Sequence, residues 1–402
     1  MDNKRHLKKF TSQNDYELQK DSVMGIPHVV LIGDTKELFF IPKITEVDYS
    51  KQYFTLHMLS DGDMKLYKPL SYTSGSLAYS VNGGEWITFN SDTTLTLVTD
   101  DEVKVKCIAN AYTRGSNNTM FDGTCDYEVY GNAMSLLYGD DFEGQSVLTT
   151  QYSFRALFYN QKTLKNAEKL ILPATTLADR CYSNMFYGCS SLTTTPELPA
   201  TTLAERCYGS MFSYCTSLTT TLELPATTLA NSCYEHMFYK CTSLTSTPQL
   251  PATTLANSCY SSMFNDCTSL TTTPELLATT LASSCYNSMF RGCTSLTEAP
   301  ELPATTLANL CYASMFQNCS NLTTAPQLLA TTLENDCYNF MFYDCSKLNK
   351  ITMLATDISA YNCLFEWVSG VALGGTFVTS GIEIPSGVNG IPIGWTVENY
   401  SA

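Results

Sequence analysis

Cys181, Cys207, Cys233, Cys259, Cys285, Cys311, Cys337 and Cys363 stand at a constant interval of 26 residues. A second column, Cys189, Cys215, Cys241, Cys267, Cys293, Cys319 and Cys345, keeps the same interval, so fifteen of the 17 cysteines fall in two columns. Met185-Phe186 recurs through Met341-Phe342, Tyr182 through Tyr338, and Leu177, Leu192 and Leu198 march in step. A unit this short cannot bury its own apolar face. Successive units must cover one another, which makes the chain a solenoid.

Within one unit, Leu177, Ala178, Cys181, Tyr182, Met185, Phe186 and Cys189 recur at four-residue steps and predict a short helix with a broad apolar stripe. Thr176 with Asp179, and Thr202 with Glu205, suggest an N-cap and capping box. Leu192, Thr194, Pro196 and Leu198 then alternate with Thr193, Thr195 and Glu197, which predicts a short strand with one face inward. Proline has no N–H, and Pro196 recurs as Pro248, Pro274, Pro300 and Pro326. A ladder bond should be missing at that level, leaving the strand short or polyproline-like. The fold class expected is an α+β repeat solenoid, leucine-rich-repeat-like, with short parallel strands plus short helices, preceded by a small all-β sandwich.

The columns Met185-Phe186, Cys189 and Leu192, and their six repetitions, resemble the BspA-like (Treponema pallidum-type) leucine-rich repeat family, whose unit carries an Ala-Phe-x-x-Cys-x-x-Leu core. This chain departs from it in having Met for Ala, a second Cys eight residues earlier, and a slightly longer unit. The resemblance covers about 154 to 368. It implies a right-handed stack with short parallel strands on one face. It also implies a surface protein of gut and oral bacteria, Bacteroides above all, linked to adhesion.

Four regions are expected: an N-terminal segment 1–51, an Ig-like β-sandwich 52–137, the solenoid 138–368 and a β-rich cap 369–402. The sandwich rests on strand-like runs such as Tyr53 to Leu56, Met64 to Tyr67, Leu77 to Val81, Trp86 to Phe89, Thr94 to Val98 and Val103 to Cys107, with Asn82-Gly83-Gly84 as a hairpin turn. Tyr16 to Val23 reads as a short helix. Val29 to Ile32 and Leu38 to Ile41 read as a hairpin. The array is degenerate at both ends, with Leu157-Phe158 opening it and Trp367 in a methionine position, as capping units require.

A net charge of −15 argues against nucleic acid and anionic membranes. No apolar run is long enough to span a bilayer, and no secretory h-region follows Met1 to Phe10. The cysteines admit three readings: disulfides, metal ligands, or buried thiols used as small hydrophobes. No C-x-x-C pair and no histidine column support zinc, and buried thiols fit best. Cys107 and Cys125 are a separate candidate disulfide. His6, His28, His57 and His236 assemble no catalytic triad, and no cofactor motif is present. Asp61-Gly62-Asp63 and Gly139 to Gly144 could be cation sites or, more simply, turns.

The outward strand face is the candidate binding surface: Thr193, Thr219, Thr245, Thr271, Thr297 and Thr323, with Glu197, Glu223, Gln249, Glu275, Glu301 and Gln327. It fits a protein or glycan ligand, and its plain alternative is a solvated face that keeps the stack soluble. The function expected is non-enzymatic recognition or adhesion at a cell surface. A structural component of a phage-like particle or mobile element is the alternative, and a glycan-active enzyme the third.

Overall fold

The computed structural model describes residues 8–9, 25–32, 35–42, 47–67, 76–89, 91–109, 119–219 and 222–401. Two compact units divide at Asp48 and Tyr49. In the first, β1 (Lys8–Lys9), β2 (Gly25–Ile32) and β3 (Thr35–Pro42) make an antiparallel sheet in the order β1-β3-β2. The expected hairpin is therefore present, with Val29 opposite Leu38. The helix expected at Tyr16 to Val23 lies outside the described residues.

The second unit begins with two sheets. β4 (Phe54–Met58), β6 (Ser76–Val81), β7 (Ile87–Phe89), β9 (Glu102–Ala109) and β11 (Tyr127–Asn132) belong to one, and β5 (Gly62–Leu66), β8 (Thr93–Leu97) and β10 (Phe121–Gly123) to the other. Asn82 and Gly83 adopt positive φ and turn β6 into β7, as their sequence signals. β11 pairs antiparallel with β4 on one side. On its other side it pairs in parallel with β12 (Leu164–Asn166) and β13 (Leu170–Ile171), from the first, incomplete repeat. Phe158 of that repeat stacks on Phe54 and Phe121 at 5.9 and 5.7 Å. These two sheets and the array thus share one apolar core.

The repeats do stack, but the predicted helices are not there. Among the described residues the one α-helix is α1 (Ser135–Tyr138), outside the 26-residue units. Residues 179–188 and their counterparts run instead as consecutive turns. Cys181, Met185 and Cys189 donate their N–H to carbonyls three residues back, on Ala178, Tyr182 and Phe186. The residues between them bond forward: Tyr182 N–H meets the Cys207 carbonyl and Phe186 N–H the Met211 carbonyl, both at 2.9 Å. Every fourth residue is left-handed, as at Arg180 (φ 53°), Asn184 (φ 56°) and Gly188 (φ 74°), and the grid repeats in each rung. A period of four, rather than 3.6, is the reason: a helical stripe would drift about 40° per step, whereas four-residue turns return each column to the same side. Serine, asparagine, aspartate and glycine occupy most left-handed sites, where a bulky side chain is strained.

The expected capping boxes are corrected in the same way. Asp179 Oδ1 accepts the N–H of Glu205, Asn231 that of Asn257, and Asn335 that of Tyr361. These side chains bridge one rung to the next, and Thr176 forms a parallel bridge to Thr202 at the corner. On the far side of the rung, the proline-bearing segments are extended with few ladder bonds. Thr193 N–H reaches the Lys165 carbonyl and Thr271 N–H the Thr245 carbonyl. Between one repeat and the next, parallel strands form among the described residues only towards the end: β14 (Thr324–Leu328), β15 (Lys350–Met353), β16 (Thr376–Thr379) and β17 (Thr396–Asn399). β15 to β17 contain no proline, and β14, which holds Pro326, is the one with an irregular register.

Inside the stack, two aromatic ladders run from rung to rung. Phe154 leads into the tyrosine ladder, Tyr182 to Tyr338, at 5.6 to 6.1 Å between centroids. Phe158 leads into the phenylalanine ladder, Phe186 to Phe342. Both end on Trp367, which meets Tyr338 at 6.3 Å and Phe342 at 6.1 Å. Trp367 donates its indole N–H to the Gly390 carbonyl, and Trp395 does the same to Ala372, so the tail closes the core. Each stacked pair adds about 0.5–1.5 kcal/mol beyond burial.

Candidate recognition surface

All 17 cysteines are buried and outside any disulfide, so the candidate bridge between Cys107 and Cys125 is not formed. The second column has a specific role. Cys215 Sγ donates to the Phe186 carbonyl at 3.1 Å, Cys241 to Phe212, Cys267 to Phe238, and so on to Cys345 and Phe316. That carbonyl already accepts a turn N–H, and the thiol takes its second lone pair. Cysteine is small enough for the core and still a donor, which alanine is not. Burial pushes the Cys207 and Cys259 thiols up to about 12 and the Cys181 thiol well above its ordinary value. Held as thiols, they are poor nucleophiles and poor metal ligands.

The acidic clusters are used by the fold. Asp61 Oδ1 accepts the backbone N–H and the hydroxyl of Thr99, and Asp63 Oδ1 accepts the Thr96 hydroxyl. Asp140 takes Lys106 Nζ at 2.6 Å and the Tyr53 hydroxyl at 2.7 Å. Lys106, then Tyr53, holds the Asp140 carboxyl below its usual range. Burial, then Asp140, pushes the Tyr53 phenol up to about 12. Among the described residues, no three His, Cys, Asp or Glu side chains are grouped to hold a metal ion. His57 contacts Glu128 at 3.1 Å and Asp100 at 3.7 Å. His236, whose pKa is lowered mainly by burial, lies on the turn side against Tyr239.

Along the strand side, Thr193, Thr219, Thr245, Thr271, Thr297 and Thr323 are all exposed. Glu197, Glu223, Gln249, Glu275 and Glu301 are exposed too, while Gln327, within β14, is half-buried. Leu192, Pro196 and Leu198 point inward between them. Glu197, Glu223 and Gln249 come together on an open groove of about 1040 Å³ across three rungs. Its walls are otherwise Thr194, Thr195, Thr247, the leucines Leu198, Leu222 and Leu224 and the prolines Pro196, Pro199, Pro225, Pro248 and Pro251, with Glu168 at one end. The column headed by Thr193 is not part of these walls; its neighbours Thr194 and Thr195 are, and alternation alone assigned Thr194 inward.

The two sides of the rung differ in charge. On the turn side, Arg180 pairs with Glu205 at 2.8 Å, Arg206 with Glu235 at 3.5 Å and Lys240 with Asp266 at 4.0 Å. On the strand side, Glu197, Glu223, Glu275 and Glu301 have no lysine or arginine partner among the described residues. Rung spacing near 4.8 Å brings such carboxylates into line, at a repulsion under about 1 kcal/mol per exposed pair in water.

A stack of identical short units with parallel pairing between them is a leucine-rich-repeat solenoid in class. Comparison with known families agrees: the BspA type leucine rich repeat region matches six copies, over residues 155–297 and 275–370. The chain belongs to that family. No curated protein and no solved structure matches it. No helix among the described residues is long and apolar enough to cross a membrane.

Proposed function

We propose that this is a non-enzymatic recognition protein of a bacterial cell surface, an adhesin that engages a protein or glycan along the strand side of its array. The observation that carries the reading is the column of exposed, uncompensated carboxylates Glu197, Glu223, Glu275 and Glu301, the first two of which line a proline-bearing groove. Folding gains nothing from aligning these charges, whereas a partner bearing donors or cations does. Because the surface repeats with each rung, it suits a ligand that is itself extended or repetitive.

The test is a glycan and host-matrix protein array probed with the intact chain and with a variant carrying Glu197→Gln, Glu223→Gln, Glu275→Gln and Glu301→Gln. Binding that the variant loses supports the reading. Ligands retained at full strength would remove the strand side from consideration. Removing residues 1 to 150 is not a usable control, because Phe158 packs on Phe54 and Phe121.

A further inference from the structure

Phe340 and Leu310 set a wholly apolar side chain at left-handed sites of the turn run, which elsewhere mostly hold serine, asparagine, aspartate or glycine. Phe340 has φ 53° and Leu310 φ 58°. The three residues before Phe340 in its column are Ser262, Ser288 and Ser314, all left-handed as well. A bulky apolar side chain in this conformation is strained, and strain that folding does not require points to function. The core gains little from either residue: Leu310 is 37% exposed, and Tyr338 and Phe342 already supply the two inner ladders in the rung of Phe340. The Phe340 ring lies instead edge-on to Phe365 at 5.4 Å and Tyr343 at 5.5 Å. Phe365 is 38% and Tyr361 71% exposed. Carboxylates stand in or beside the same two turn runs: Glu334, Asp336, Asp344 and Glu366 form no ion pair among the described residues. The earlier rungs are the reverse, with cations paired on the same side.

We propose that Phe340, Phe365, Tyr343 and Tyr361 form a docking patch for a polypeptide segment that presents an apolar side chain flanked by lysine or arginine. An aromatic centre with an acidic rim has the anatomy of a protein-binding hot spot, and its charge selects a basic partner. The patch lies on the turn side, so it stands or falls independently of the strand-side groove.

The probe is a fluorescent peptide of sequence KKLFKK, with EELFEE as its counterpart, titrated into the intact chain by anisotropy. The lysine peptide should bind and weaken as salt rises, and the glutamate peptide should not bind. Phe340→Ser with Phe365→Asn should weaken binding by about tenfold or more. These are residues the array itself uses in those columns, so the melting temperature should not fall. Four outcomes would overturn the proposal: no binding by the wild type, equal binding of the two peptides, undiminished binding by the double variant, or a melting temperature lowered as a core substitution lowers it. A dimer of the wild type that Phe340→Ser dissolves would also overturn it, by giving the patch to a second copy.

Discussion

The turn run and the proline-bearing segment of each rung are built from the same 26-residue unit, yet they are held together differently. In the turn run, alternate N–H groups close four-residue turns and the others bond to the next rung, so nearly every donor has a backbone acceptor. In the extended segment, proline removes a donor at one level, and the bonds that remain are at its edges, such as Thr271 to Thr245. The contrast with β15 to β17 is instructive. There the prolines are gone, and the same side of the rung becomes a regular parallel sheet. Leu222 replaces one proline in mid-array, and the described residues of its segment, from 222 on, form no strand, because its neighbours Pro196 and Pro248 still interrupt the rungs on either side. Cohesion therefore resides in the turns and the aromatic core, and the extended side is left open as surface.

Raising the pH should break the cohesive side most severely. A thiol whose folded pKa is raised keeps its proton in the native state while the unfolded chain releases it. Stability is thus whole below about 9, the ordinary value, and falls as pH rises towards about 12 for Cys207, Cys259, Cys311 and Cys319. Many buried thiols lose stability over the same window, so urea midpoints should drop steeply between pH 9 and 11. A flat profile there would place these thiols in water.

Phe264→Ala removes one ring from the middle of a ladder and should cost about 3–5 kcal/mol, read as a denaturant midpoint. Ser258→Val probes the turn grid itself. At φ 54° a β-branched residue should cost about 1–3 kcal/mol, while Ser258→Gly should cost little or nothing. If circular dichroism melts put valine and glycine level, the left-handed grid is wrong. The smallest effect belongs to the open side: Thr271→Ala should stay within about 0.5 kcal/mol. Should it match Phe264→Ala, inside and outside have been exchanged.

Much of this was legible in the chain. The cysteine, Met-Phe and tyrosine columns all lie in the core, the aromatic ladders follow the 26-residue period, and the effect of Pro196 and its repetitions is visible in the missing strand. The helices were misjudged because apolar residues four apart satisfy both a helix and a train of turns. The discriminating signal was the polar column, Asn184, Ser210, Ser262, Ser288, Ser314, which marks left-handed positions rather than a solvated helix face. The strand-side surface was legible in part, through Glu197 and its column. Phe340 was not, since its meaning lies in departing from a column whose conformation was unknown.

Periodicity alone determined that neighbours must cover one another and which residues must be inside, because identical short units have no other way to remove their apolar side chains from water. Which carbonyl each N–H finds, whether three residues back or in the next rung, was decided only in the stack. Backbone polar groups are common to every residue, and their pairing depends on what lies one rung away.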